Sequence, residues 1–121
     1  HSIRSHIPYL FHGTLPDFNV GTNSGTSCSQ IIEETVYGHC VASDDYTHVL
    51  NGRFKGGWTT RHYGDPARGV HAIQMELAQS TYLAAEAPPW DFDGAKADRL
   101  RPLLARLLAD LEDLALEGRL A

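Results

Sequence analysis

In the stretch "GVHAIQMELAQSTY" a single glutamate, Glu76, interrupts an otherwise apolar run. Read as a strand, the run places Ile73, Met75 and Leu77 on one face and Ala72, Gln74, Glu76 and Ala78 on the other. The first face has core composition. The second carries a carboxylate and an amide among small residues, as a sheet does where it presents polar groups to a cleft or to water. A strand glutamate is also commonly a solvated residue on an exposed face, so both readings of Glu76 stand at this point. Just upstream, "NGRFKGGWTTRHYG" gathers Arg53, Lys55 and Arg61 around glycines. The local cationic group between Arg53 and Arg68 suggests a small anionic ligand. Gly56 and Gly57 either let backbone approach a ligand closely or form a simple turn.

Several other chemistries are excluded by spacing. Seven histidines occur, but none lies in H-E-x-x-H, and no Cys/His spacing matches a zinc finger. No G-x-S-x-G elbow surrounds Ser2, Ser5 or Ser27, and no glycine-rich phosphate loop precedes a helix. Cys28 and Cys40 form neither a C-x-x-C pair nor a disulfide framework, so reduced structural thiols are expected. What remains is a combination: His1, the polar loop "GTNSGTSC", the cationic segment and Glu76 on a strand.

The elements that must position these residues fit one domain. The 121 residues are 42% hydrophobic, enough for a core, and the net charge of -5 gives no footprint for nucleic acid or an anionic membrane. Charges interrupt the longest apolar stretch, so no transmembrane span is predicted and a cytoplasmic protein is the default. The chain starts at His1 without an initiator methionine and runs at once into what reads as domain interior, so a fragment or processed piece is expected.

Residues 7 to 25 have loop composition with little regular structure. Ser27 can cap a short helix with Ile31, Ile32, Thr35 and Val36 at helical spacing, which Gly38 ends or weakens. "YTHVLNGRF" reads as a strand passing through Asn51-Gly52, and "GGWTTRHYG" as a second extended segment, together a hairpin-like pair. After the Glu76 strand and the breaker "APPWDFDG", a terminal helix carries Leu100, Leu103, Leu104, Leu107, Leu108, Leu111 and Leu114 on one stripe, with Pro102 early in it or kinking it. The stripe packs onto the domain's own sheet or forms a dimer seam. The order of elements predicts an α/β or α+β layer architecture.

Four blocks in order, "HSIRSHIPYLF", "LPDFNVGTNSGTSC", "NGRFKGGWTTRHYG" and "HAIQMELAQSTY", resemble the second half of the N-formylglutamate amidohydrolase family, the deformylases of histidine degradation. That family is similar in turn to the zinc carboxypeptidase and aspartoacylase group. The resemblance implies an α/β fold with a mixed sheet flanked by helices, of the zinc carboxypeptidase or phosphorylase/hydrolase-like kind. Residues 1–121 would be the C-terminal portion of a single such domain, whose N-terminal half is absent. It further implies Zn2+-dependent hydrolysis of N-formyl-L-glutamate to glutamate and formate.

Roles are implied only where residues match. His1 stands where the group's third zinc ligand stands, although the acidic residue of the usual D-x-H segment is absent here. Glu76 resembles the general base that takes a proton from metal-bound water. Arg61 resembles the arginine that clamps a substrate carboxylate, a task suited to a planar guanidinium with two parallel donors. Its other reading is a surface cation. Arg4 and Asn23 lie in matching blocks and would contact the substrate's acid groups or formyl oxygen, or else serve turns and caps. Asn51, Arg53, Lys55 and His62 are weaker candidates. The other two zinc ligands are expected in the missing half, so the chain alone is expected to be inactive and to associate either with that half or with itself. The competing expectations are a sibling amidohydrolase acting on another N-acyl amino acid and a catalytically inert anion-binding domain.

Overall fold

The computed structural model describes residues 1–120. Seven principal elements follow in order: β1 (Ser2–Ile3), β2 (Phe18–Gly21), α1 (Gln30–Val41), β3 (His48–Leu50), α2 (Trp58–Tyr63), β4 (Gln74–Ala78) and α3 (Gly94–Leu116). The strands form one sheet in the order β1-β4-β2-β3. β1 runs parallel to β4 and β2 parallel to β3, while β2 and β4 are antiparallel, so the sheet is mixed and helices flank it, as expected.

The core follows from pattern and burial. In β2, Phe18 and Val20 are fully buried and pair with Leu77 and Met75 of β4. Against this face lie Ile32, Val36 and Cys40, one side of α1, and Leu100, Leu103 and Leu107 of α3. Burying each such side chain contributes about 1.5–3 kcal/mol. The leucine stripe therefore packs into its own domain, except Leu108, which is off the stripe and 64% exposed. Asp93 caps α3 by accepting a hydrogen bond from Lys96 N at 3.0 Å, and Pro102 lies in the helix interior rather than its first turn.

Four expectations are corrected. The segment from 7 to 25 contains β2, a central strand hidden by its Asn and Gly. Ser29, not Ser27, precedes α1; Ser27 is buried and donates to Ala72 O at 2.7 Å. Gly38 does not end α1, which runs on to Val41. Most consequentially, "GGWTTRHYG" is not extended, because Trp58–Tyr63 is helical and β3 pairs with β2 instead of forming a hairpin. The β propensity of Trp58, Thr59 and Thr60 is outweighed by tertiary closure at both ends of the segment. Asn23 N donates to Lys55 O at 2.6 Å before it, and after it Gly64 lies so near Ser27 that a Cβ there would fall 2.5 Å from the Ser27 carbonyl oxygen.

Candidate functional site

Glu76 occupies the middle of β4 on the face opposite Met75 and Leu77, and it is only 7% exposed. The solvated-strand reading is thereby overturned: this carboxylate is buried. Its cross-strand partner is Asn19, itself 1% exposed. Asn19 Nδ2 donates to Pro16 O at 2.8 Å and to Glu76 O at 3.2 Å, whereas Oδ1 is buried without a partner. An orphaned buried acceptor costs about 1–3 kcal/mol in lost solvation.

Edge strand β1 brings an imidazole to the same place. Leu77 N donates to His1 O at 3.0 Å and the His1 nitrogen donates to Met75 O at 3.1 Å, so the parallel ladder sets His1 level with Glu76. His1 Nδ1 lies 3.7 Å from Glu76 Oε2, and the imidazole is mostly exposed while the carboxylate is not. The pair thus opens outward on its His1 side.

Gln74 lies two residues before Glu76 on the same face. Its Nε2 donates to Glu76 Oε2 at 3.1 Å, and its Oε1 accepts the Gly57 N–H at 2.6 Å. Gly57 precedes α2, and Gly56 has φ +122°, a backbone conformation that side chains rarely adopt. One turn into α2, Arg61 Nη1 donates to Gly56 O at 3.0 Å, with the rest of the side chain exposed. Arg53, Lys55, Arg61, Gly57 and Gln74 line one cleft; His1, Trp58, Thr60, and again Gly57 and Gln74, line its neighbour. Gln74 and Gly57 are common to the cationic and imidazole sides.

The remaining sequence candidates are distributed as follows. Asn23 sits in the turn after β2 with φ 50°, its Nδ2 donating to Thr26 Oγ1 at 2.8 Å and its backbone against Lys55. Arg4 lines a different depression with Ser2, Ile7, Gln79 and Trp90. Asn51 holds the β2 exit, accepting from Thr22 N at 2.9 Å and donating to Thr22 Oγ1 at 2.8 Å. Arg53 donates to Leu10 O at 2.8 Å, and His62 stacks on Trp58 at 4.2 Å. Sequence reasoning did not single out Asn19 or Gln74. Gln74 was within reach of the alternation argument, since it shares a face with Glu76.

A hydrolytic zinc site takes three protein ligands plus water. Among the described residues no group of three His, Cys, Asp or Glu side chains is gathered closely enough to hold a metal ion. His1 can offer one nitrogen beside Glu76, so these residues fit one corner of such a site and not the whole of it. The two thiols do not contribute. Burial, reinforced by Glu33, pushes Cys28 up to about 11, and burial pushes Cys40 up to about 11, so both remain protonated at neutral pH.

Similarity to known proteins covers most of the chain. Residues 1–83 match the family model described as N-formylglutamate amidohydrolase. The chain is 54% identical over 111 residues to an N-formylglutamate deformylase of Pseudomonas putida, covering 92% of this chain and 41% of the relative. It is 55% identical over 112 residues to one from Pseudomonas aeruginosa, covering 90% and 42%. It therefore spans about two-fifths of the length of the curated relatives it matches. In fold it is similar to the crystal structure of N-formylglutamate amidohydrolase from Ralstonia eutropha JMP134, with a TM-score of 0.76 and 22% identity, over 97% of this chain and 42% of that one.

Proposed function

The chain belongs to the N-formylglutamate amidohydrolase family, and from that premise we propose that it supplies the base and the anion clamp of an enzyme hydrolysing N-formyl-L-glutamate to glutamate and formate. The observation that carries this reading is the buried Glu76 carboxylate, held by Gln74, beside His1 and next to the Arg61 cleft. Glu76 accepts the proton of the attacking water and later passes it to the leaving amine, the usual two-way duty of a positioned carboxylate. Partial enclosure keeps bulk water from competing for it. Arg61 grips a substrate carboxylate through its guanidinium, aligning the formyl group for attack. Asn23 borders the Arg61 loop through Lys55, whereas Arg4 lines a separate depression away from Arg61.

We further propose Zn2+ as the cofactor, with His1 as one ligand and the others supplied from outside these 121 residues. When bound, zinc lowers the pKa of its water toward neutrality. The C-terminal placement of residues 1–121 within one domain, the requirement for the remaining half and the cytoplasmic setting of histidine degradation belong to the same proposal. No described helix is long and apolar enough to cross a membrane.

The test uses the complete protein. Formate release from N-formyl-L-glutamate should exceed that from N-formyl amino acids without a side-chain carboxylate and from N-acetylglutamate. Preference for a different acyl group would make it a sibling amidohydrolase. Absence of both stoichiometric zinc and turnover would make it an inert anion binder.

A further inference from the structure

On the reading that Glu76 is the base and Arg61 the clamp, we infer that Gln74 is a positioning residue that couples the two. A primary amide carries a donor on one atom and an acceptor on another at the end of one side chain. Here both ends are used: Nε2 holds one oxygen of Glu76 at 3.1 Å and Oε1 holds the Gly57 N–H at 2.6 Å. The orientation of the amide is fixed by these partners, since reversing it would set oxygen against carboxylate and N–H against N–H. Gly57 follows the residue whose carbonyl accepts from Arg61, so an anion seated at Arg61 acts on the same short segment that anchors Gln74.

Two consequences follow for the base. The donated hydrogen bond fixes the rotamer of Glu76 and engages Oε2, the oxygen nearer His1. The same amide ties that rotamer to the Gly57 segment, so losing the bond frees the carboxylate to turn away from the reacting water.

The experiment compares Gln74→Glu and Gln74→Met in the complete protein, with Glu76→Gln alongside. Gln74→Glu keeps an oxygen for the Gly57 N–H but removes the donor and adds a like charge beside Glu76. Its kcat on N-formyl-L-glutamate should fall by about tenfold or more, with KM nearly unchanged. Gln74→Met loses both ends, so kcat should fall and KM should rise as well. A parental kcat in Gln74→Glu overturns the inference, and so does a KM that rises as much as kcat falls. Should Gln74→Met fail to fold, the kcat-against-KM split of Gln74→Glu decides alone. If Glu76→Gln turns over normally, the assignment of the base fails. If Glu76→Gln is nearly inactive and Gln74→Glu keeps the parent kcat, only the role of Gln74 fails.

Discussion

Gly21→Ala is expected to damage both stability and substrate binding through backbone contact alone. Gly21 ends β2 and pairs with Gln74 in the antiparallel ladder. A Cβ there would lie 2.6 Å from Gly56 N, 2.7 Å from the Lys55 carbonyl carbon and 3.0 Å from its oxygen. None of these is a side-chain atom able to swing aside. Ordinary contact between such atoms needs about 3.5 Å, so the Lys55–Gly56 backbone must retreat by about 1 Å. The Gly57 N–H would move with it, and its 2.6 Å bond to Gln74 would stretch beyond useful length. Overpacking of this kind costs about 1–3 kcal/mol, and each kcal/mol lowers Tm by about 2–4 °C in a domain of this general size.

Thermal unfolding and KM of the complete protein measure the two effects. Gly38→Ala is the internal comparison: it lies inside α1, a Cβ there meets nothing within 4 Å, and the change should stabilise by about 0.5–1 kcal/mol. The same chemical change is thus expected to act with opposite sign at two sites. A Gly21→Ala protein with the parent's Tm and KM would refute the claim that backbone proximity holds the clamp against the sheet.

Glu76→Gln should keep folding and substrate affinity while lowering turnover by about a hundredfold or more, checked by steady-state kinetics beside direct binding. Arg61→Lys should weaken substrates with the matching carboxylate and spare an analogue without it, whereas equal loss on both would assign Arg61 to folding through its bond to Gly56. The thiols give a pH signature. With Cys28 and Cys40 raised from 9.0 to about 11 in the folded state, their contribution to stability is complete below pH 9 and is lost as pH rises through about 11. Denaturant midpoints should fall over that window, and replacing both cysteines with alanine should flatten it.

The Glu76 strand was legible because strict alternation with Ile73, Met75 and Leu77 left no other period available. The burial of its polar face was not legible, since alternation separates faces without saying what covers them. α3 declared itself through Leu100, Leu103 and Leu107, yet Leu108 shows that a hydrophobic residue one position off the stripe is indistinguishable by type. β2 escaped notice because Asn19 and Gly21 carry loop statistics, although each serves the sheet: one by bonding across to Glu76, the other by leaving room for Gly56. The helix bearing Arg61 was missed for a related reason. Its conformation depends on Asn23 closing onto Lys55, on Ser27 and on Gln74, and these three partners lie too far along the chain for local propensity to register.

The position of β4 between β1 and β2 bears on when the site can form. Residues 1 to 73 include β1, β2, β3, α1 and Arg61, but among the described residues the ladder partner of β1 is β4. The His1–Met75 contact closes 74 residues of sequence, at an entropic cost of about 4 kcal/mol before any constant term. Among the described residues, the β1–β4 ladder forms only after Leu77 and Ala78 have emerged, and the imidazole meets the carboxylate only when the central strand inserts. Slowing that insertion delays the site and prolongs exposure of two unfinished strand edges by the same interval.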